Sequence, residues 1–193
     1  MFNRMMGKTR YIVSRLFLHL NGEEVAPILG ILNRSARTAI DADGDIEVLG
    51  EELVQICQTL LQYDEYWFSA ANEGDVFWKE GEAGDFVNEL FTDSAQRYGA
   101  NLDFSSTTSN QPLSLPVTRN VIVMITVAAE GEVPDLETDL ANIPALKEAL
   151  KALINLHYKH KLRAIQVHFS PAQLGDELSS DQLLEYYPEL IPL

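Results

Sequence analysis

One cysteine in 193 residues leaves no partner for an internal disulfide. Long hydrophobic runs are also missing: the longest, Val121 to Ala129, has nine residues, against the ~20 that a helix needs to cross a bilayer. The beginning, Met-Phe-Asn-Arg-Met-Met-Gly-Lys, lacks both the apolar stretch and the small-residue cleavage site of a secretory signal. These absences predict a soluble chain in a reducing, cytoplasmic compartment, with no integral membrane segment. Glycine (11) and proline (8) are too few for a collagen-like or low-complexity chain. Catalytic signatures are absent as well. Gly81-Glu-Ala-Gly84 is followed by no Lys-Ser or Lys-Thr, so it is no phosphate loop, and there is no Gly-x-Ser-x-Gly elbow.

Basic residues are scarce: 14 Lys and Arg stand against 29 Asp and Glu, for a net charge of −15. The imbalance is localised. Residues 1–37 carry +4 and residues 38–95 carry −14, with fifteen acids and only Lys79 in opposition. Residues 96–129 add +1 and the remainder −6. Nucleic acids and anionic lipid are bound mainly by clustered Lys and Arg that displace counterions, so a field of this sign excludes nucleic acid as a partner. It suits a solvated surface or a docking face for a basic protein.

What is present is a chain with a core. Hydrophobic residues make up 46% and charged residues 22%, and at this length folding removes about 70% of the unfolded surface from water. Residues 11–20 are apolar on both parities, which reads as a strand that Asn21-Gly22 ends. Val25, Ile28, Leu29, Leu32, Ala36 and Ile40 advance at helical spacing with Pro27 in the first turn, and Leu49, Leu53, Ile56, Cys57, Leu60 and Leu61 mark a second helix. A short strand near Trp67, a loop, and a helix from about Ala83 to Tyr98 follow. The stretch 100–116 is rich in Ser, Thr, Asn and Pro and reads as a linking loop. Beyond it come a strand from Asn120 to Ala128 and a helix over Ala145 to His157, with Asn142 as N-cap. A strand ending at Ser170-Pro171 and a short helix capped by Ser179 complete the chain. The strand-helix-strand order forms a β-α-β unit, whose strands are expected to be parallel. The fold class is therefore α+β: a mixed sheet of about four strands with helices mainly on one face. It makes a single domain over 1–193, with halves 10–99 and 117–193 joined by the loop 100–116.

Several constellations invite chemistry. Residues 41–52, Asp-Ala-Asp-Gly-Asp-Ile-Glu-Val-Leu-Gly-Glu-Glu, place Asp41, Asp43, Asp45 and Glu52 at the first, third, fifth and twelfth positions of a calcium loop. Ile46 falls where that loop needs glycine, so an acidic helix-helix connection is the simpler reading. His157 and His160 lie three apart at a helix end among Lys159, Lys161 and Arg163, cations that complement the negative helix terminus. Cys57, on an apolar stripe, reads as a small core residue. His19 and His168 alternate with apolar neighbours and read as structural. Tyr66, Trp67, Phe77 and Trp78 stand among acids, where aromatics can anchor an interface or fill a core.

Asn120-Val-Ile-Val-Met-Ile-Thr-Val-Ala-Ala-Glu-Gly131, Ala145 to Leu153, Arg163-Ala-Ile-Gln-Val-His-Phe-Ser-Pro171 and Leu178-Ser-Ser-Asp-Gln-Leu-Leu-Glu-Tyr-Tyr-Pro-Glu-Leu190, with Tyr66-Trp67, carry a resemblance. The chain resembles a family of unknown function found in cyanobacteria and chloroplasts, whose plant members are linked to acclimation of photosynthesis to fluctuating light. The similarity spans roughly residues 10 to 193. It implies no catalytic residue. It does imply a non-catalytic regulatory or scaffold protein of photosynthetic cells acting through protein contacts, cytoplasmic or peripheral to thylakoids and with no cofactor. A calcium sensor built on the loop 41–52, and an enzyme with an unrecognised site, are the alternatives.

Overall fold

The computed structural model describes residues 8–104 and 118–193, with side chains at 98–104 outside that description. Along the chain run β1 (Tyr11–Asn21), α1 (Ala26–Asp41), α2 (Ile46–Gln62), β2 (Trp67–Phe77), α3 (Glu80–Phe104), β3 (Asn120–Glu130), α4 (Ile143–Tyr158), β4 (Leu162–Ser170), α5 (Ser180–Tyr186) and β5 (Ile191–Pro192). The fold is α+β, as the periodicities predict. Of the linking loop expected over 100–116, residues up to Phe104 continue α3, and the rest lies outside the described residues.

The sheet has five strands in the order β4-β3-β1-β2-β5, and every pairing is antiparallel. This corrects the expectation of a mixed sheet of about four. The fifth strand is two residues long, too short for periodicity to reveal. The β3-α4-β4 succession exists, but its strands are antiparallel neighbours, Met124 opposite His168. The reason lies in residues 131–142. Asn72 of β2 holds this connection, accepting from Leu140 N and donating to Thr138 O, both at 2.9 Å. The connection makes the return journey that the crossover helix of a parallel unit would make. α4 then starts beside the end of α2, where Lys147 pairs with Asp64. It ends beside the end of β3, where Glu130 N donates to Lys161 O at 2.9 Å. β4 can therefore only run back.

Side-chain alternation divides the sheet into two faces. Ile12, Leu16, Leu18 and Leu20 of β1, with Val121, Val123, Ile125 and Val127 of β3, face α1, α2 and α4 in the main core. The opposite parity is covered too. Val13 and Ala128 meet the α3 stripe Ala83, Val87 and Leu90, while Phe17, Ile122 and Met124 meet Leu178 and Tyr187 at the C-terminal end. Three helices on one face match the expected layering, and α3 with α5 closes the other. β2 runs on to Phe77 through Asn72-Glu73-Gly74-Asp75, a stretch with turn composition. Its pairing with β1 keeps it extended there, Gly74 lying opposite Ser14.

α2 and α4 are in tight contact at Gly50, where a Cβ would overlap the imidazole of His157. Alanine normally gains up to ~1 kcal/mol over glycine inside a helix, but overpacking costs about 1–3 kcal/mol. Gly50→Ala is therefore expected to destabilise the protein by about 1 kcal/mol in urea unfolding. Gly30→Ala on α1, where nothing lies within 4 Å, should stabilise it. A stabilising Gly50→Ala would contradict the close approach, and pairing it with His157→Ala should abolish its cost.

Candidate functional site

The acidic connection is a turn whose four candidate carboxylates do not converge. Asp43 (φ 48°) and Gly44 (φ 83°) reverse the chain, and Ile46 opens α2. The left-handed residues are thus the third and fourth of the segment, whereas a calcium loop bends at its sixth. Asp45 is the N-cap of α2, its Oδ1 accepting from Glu47 N at 2.9 Å and Val48 N at 3.4 Å. Glu52 lies seven residues further along the helix, a rise of about 10 Å. Asp41 and Asp43 are exposed. Among the described residues no group of three His, Cys, Asp or Glu side chains is placed to hold a metal ion.

The four aromatic candidates are dispersed along β2. Trp67 is buried in the main core, its Nε1 donating to Leu60 O at 3.1 Å. Tyr66 stacks on Gly22, where a Cβ would come within 2.6 Å of its ring. Phe77 packs against Phe86, with ring centroids 5.4 Å apart. Trp78 is 41% exposed. Tyr66 and Trp78 flank a strand about 33 Å long, so the four do not form one patch.

The electrostatic centre of the second face is Arg15, whose side chain is only 3% exposed. It pairs with Glu73 and with Asp93 at 2.6 Å, and donates to Ser94 Oγ at 2.8 Å and Leu90 O at 3.1 Å. Arg97 extends the network to Asp93 at 2.9 Å and Glu189 at 2.6 Å and donates to Tyr186 O. Both guanidinium groups lie over the Phe17 ring, at 4.8 and 5.4 Å from its centroid. Burial alone would raise the Asp93 carboxyl, but the two arginines outweigh it and hold it below its usual range. A cation inside an apolar strand was the only sequence signal of this network.

On the first face, α1, α2 and the edge strand β4 line a half-open pocket of about 200 Å³. Leu32, Leu53, Ile56, Ile165, Val167 and Phe169 give it apolar walls. Ser35 and Glu52 also line it, and Ser35 Oγ and Glu52 Oε2 are buried with no hydrogen-bond partner in the protein. Gln166 belongs to the rim through its backbone, since strand alternation places its side chain on the other face, opposite Thr126. Sequence reasoning missed this site because Ser35 looks like one polar position among the exposed ones of α1, and Glu52 had been assigned to the calcium loop.

The remaining candidates serve the structure. Cys57 is fully buried, which pushes its thiol far above the ordinary range. His19 bridges Ser69 Oγ at 3.0 Å and Asn120 Oδ1 at 2.9 Å. His157 is packed against α2, and His160 pairs with Glu47 at 3.0 Å, so the two histidines meet different neighbours.

A family model described as "Protein of unknown function (DUF1517)" matches residues 10–193. No curated protein and no solved structure matches the chain.

Removing Arg15 leaves Glu73 and Asp93 facing one another over an emptied site. Breaking a buried pair costs about 3–5 kcal/mol, and the carboxylates' partial exposure places Arg15→Ala at the lower end. Chemical denaturation should show this loss, and a cost below about 1 kcal/mol, the range of surface pairs, would contradict the network's role. Burial lowers the pKa of His19 and His168 below the ordinary value. The unfolded chain therefore binds more protons as pH falls through about 6.5. The histidine contribution is complete above that pH and is lost below it. Urea midpoints should fall between pH 7.5 and 5.5, less steeply in His19→Gln; an unchanged slope in that variant would contradict the assignment.

Proposed function

The chain belongs to the DUF1517 family, whose description carries no activity, and from that premise we propose that it is a non-catalytic regulatory or scaffold protein of photosynthetic cells acting through contacts with other proteins. The observation that supports this reading is the placement of its carboxylates. Of the fifteen acids between residues 38 and 95, twelve are exposed and the other three, Glu52, Asp64 and Asp93, are half-buried. Most lysines and arginines are held in ion pairs, among them Arg10 with Glu137, Lys147 with Asp64 and Arg163 with Glu130. Those pairs leave Asp41, Asp43, Glu51, Glu65 and Asp75 without a cation among the described residues. A surface of this kind steers a basic partner toward it and repels phosphates.

The photosynthetic setting is supported by the resemblance of the C-terminal third to the cyanobacterial and chloroplast family. In this reading the protein is cytoplasmic, and a protein partner is its route to thylakoids. Among the described residues no helix is long and apolar enough to cross a membrane. The partner is a protein with a Lys- and Arg-rich face, and the end of the molecule at the α1–α2 turn, with Asp41, Asp43, Glu47 and Glu51, is the contact that the charge layout favours.

The test compares the wild-type chain with an Asp41→Asn, Asp43→Asn, Glu47→Gln, Glu51→Gln variant, which leaves the Asp45 cap intact, as baits in cyanobacterial extract. A protein retained at ~50 mM NaCl and released by ~500 mM, where screening shortens the reach of charge to a few ångströms, is the expected result. The variant should retain at least tenfold less of it. Equal recovery by both baits, or no salt-sensitive partner, would overturn the proposal.

A further inference from the structure

We propose that the cavity between α1, α2 and β4 is a binding site for a small primary amine: an ammonium group on Glu52 Oε2 and Ser35 Oγ, with a compact apolar body of about eight non-hydrogen atoms against the walls. The size follows from comparison with an engineered apolar cavity of about 150 Å³, which takes one benzene ring; this one measures about 200 Å³. The site is independent of the acidic contact surface proposed above.

Three observations select the chemistry. First, buried polar groups are almost always bonded, and a buried charge is paired. The acids of 38–95 obey that rule in an informative way. Of the three half-buried ones, Asp64 pairs with Lys147 and Asp93 with Arg15 and Arg97, while Glu52 has no ion pair among the described residues. A cation at Glu52 Oε2 would complete the pattern. Second, Ser35 is 2% exposed, and its Oγ makes no bond even to the helix carbonyl one turn back, which serine often uses. It is therefore available as an acceptor on the wall facing α2. Third, the rest of the lining is aliphatic or aromatic. Water would fill this volume with on the order of six molecules at ~30 Å³ each. Ser35 and Glu52 are the polar side chains it would meet on these walls, whereas an apolar body would satisfy the walls and an ammonium the two oxygens. Ala36, Ala39, Leu49 and Glu52 line the outer side and are only half-buried, which gives a ligand its way in.

The test uses benzylamine as probe, with benzyl alcohol and toluene as neutral counterparts, titrated into the full chain and followed by backbone amide shifts. Benzylamine should saturate with shifts confined to residues around 32–39, 49–56 and 165–169, and should bind at least tenfold more tightly than toluene. Glu52→Gln should weaken benzylamine at least tenfold and benzyl alcohol less than threefold. Ser35→Ala should weaken benzylamine several-fold. Ala39→Leu, which fills the cavity without removing either polar group, should abolish binding of all three. The proposal is overturned if benzylamine fails to saturate, if toluene binds as tightly, if Glu52→Gln leaves its affinity unchanged, or if the shifts map elsewhere or survive Ala39→Leu.

Discussion

Arg15 brings a full positive charge into the layer between the sheet and α3, and it is tolerated there because Glu73 and Asp93 reach it from the rim. The cost of taking charge out of water governs the rest of the molecule. Carboxylates are in surplus by fifteen, so only those with an arginine or lysine at hand can retreat from solvent. Asp93 does so against Arg15 and Arg97, and Asp64 against Lys147. The others stay outside. The acidic surface is thus the remainder after the few cations are committed to holding α3, the C-terminal segment and the end of α2 in place.

The same economy explains the one exception. α2 packs on the sheet through Leu53, Ile56 and Leu60, and that helical face carries Glu52 toward the sheet along with them. Arg34 on the adjoining turn of α1 donates to Gln55 Oε1 at 3.2 Å and makes no ion pair with Glu52, while Ser35 and the alanines Ala36 and Ala39 line the gap. Small residues on one helix and the side chain of Glu52 on the other leave a space whose walls are apolar and whose two polar atoms are unmet. Topology contributes as well. Because the 131–142 connection returns along β2, α4 lies on the far side of α2 from α1, and β4 is the edge of the sheet among the described residues.

Elements with a strong period were legible in the sequence. The alternation of Ile12 to Leu20, the stripe of α2 and the Asn142 and Ser179 caps all stand where local chemistry puts them. What local chemistry could not convey was the pairing of distant segments. Asn72-Glu73-Gly74-Asp75 has the composition of a turn and becomes strand because β1 offers a ladder and Arg15 a counter-charge. The strand-helix-strand order suggested parallel strands, since nothing local reveals that Asn72 clamps the return of the chain. Of the candidate site, Glu52 was visible as a carboxylate, but its meaning depends on Ser35, a neighbour that only the packing of α1 on α2 supplies.

The central claim is that carboxylates without cations repel one another across the surface while Arg15 and Arg97, with their carboxylates, are sheltered. Thermal unfolding across a sodium chloride series tests it most directly. If the account holds, the melting temperature rises between ~20 and ~500 mM salt as repulsion is screened over shrinking distances. A melting temperature that falls over that range would mean that exposed ion pairs, which salt weakens, outweigh the repulsion, and the account would fail.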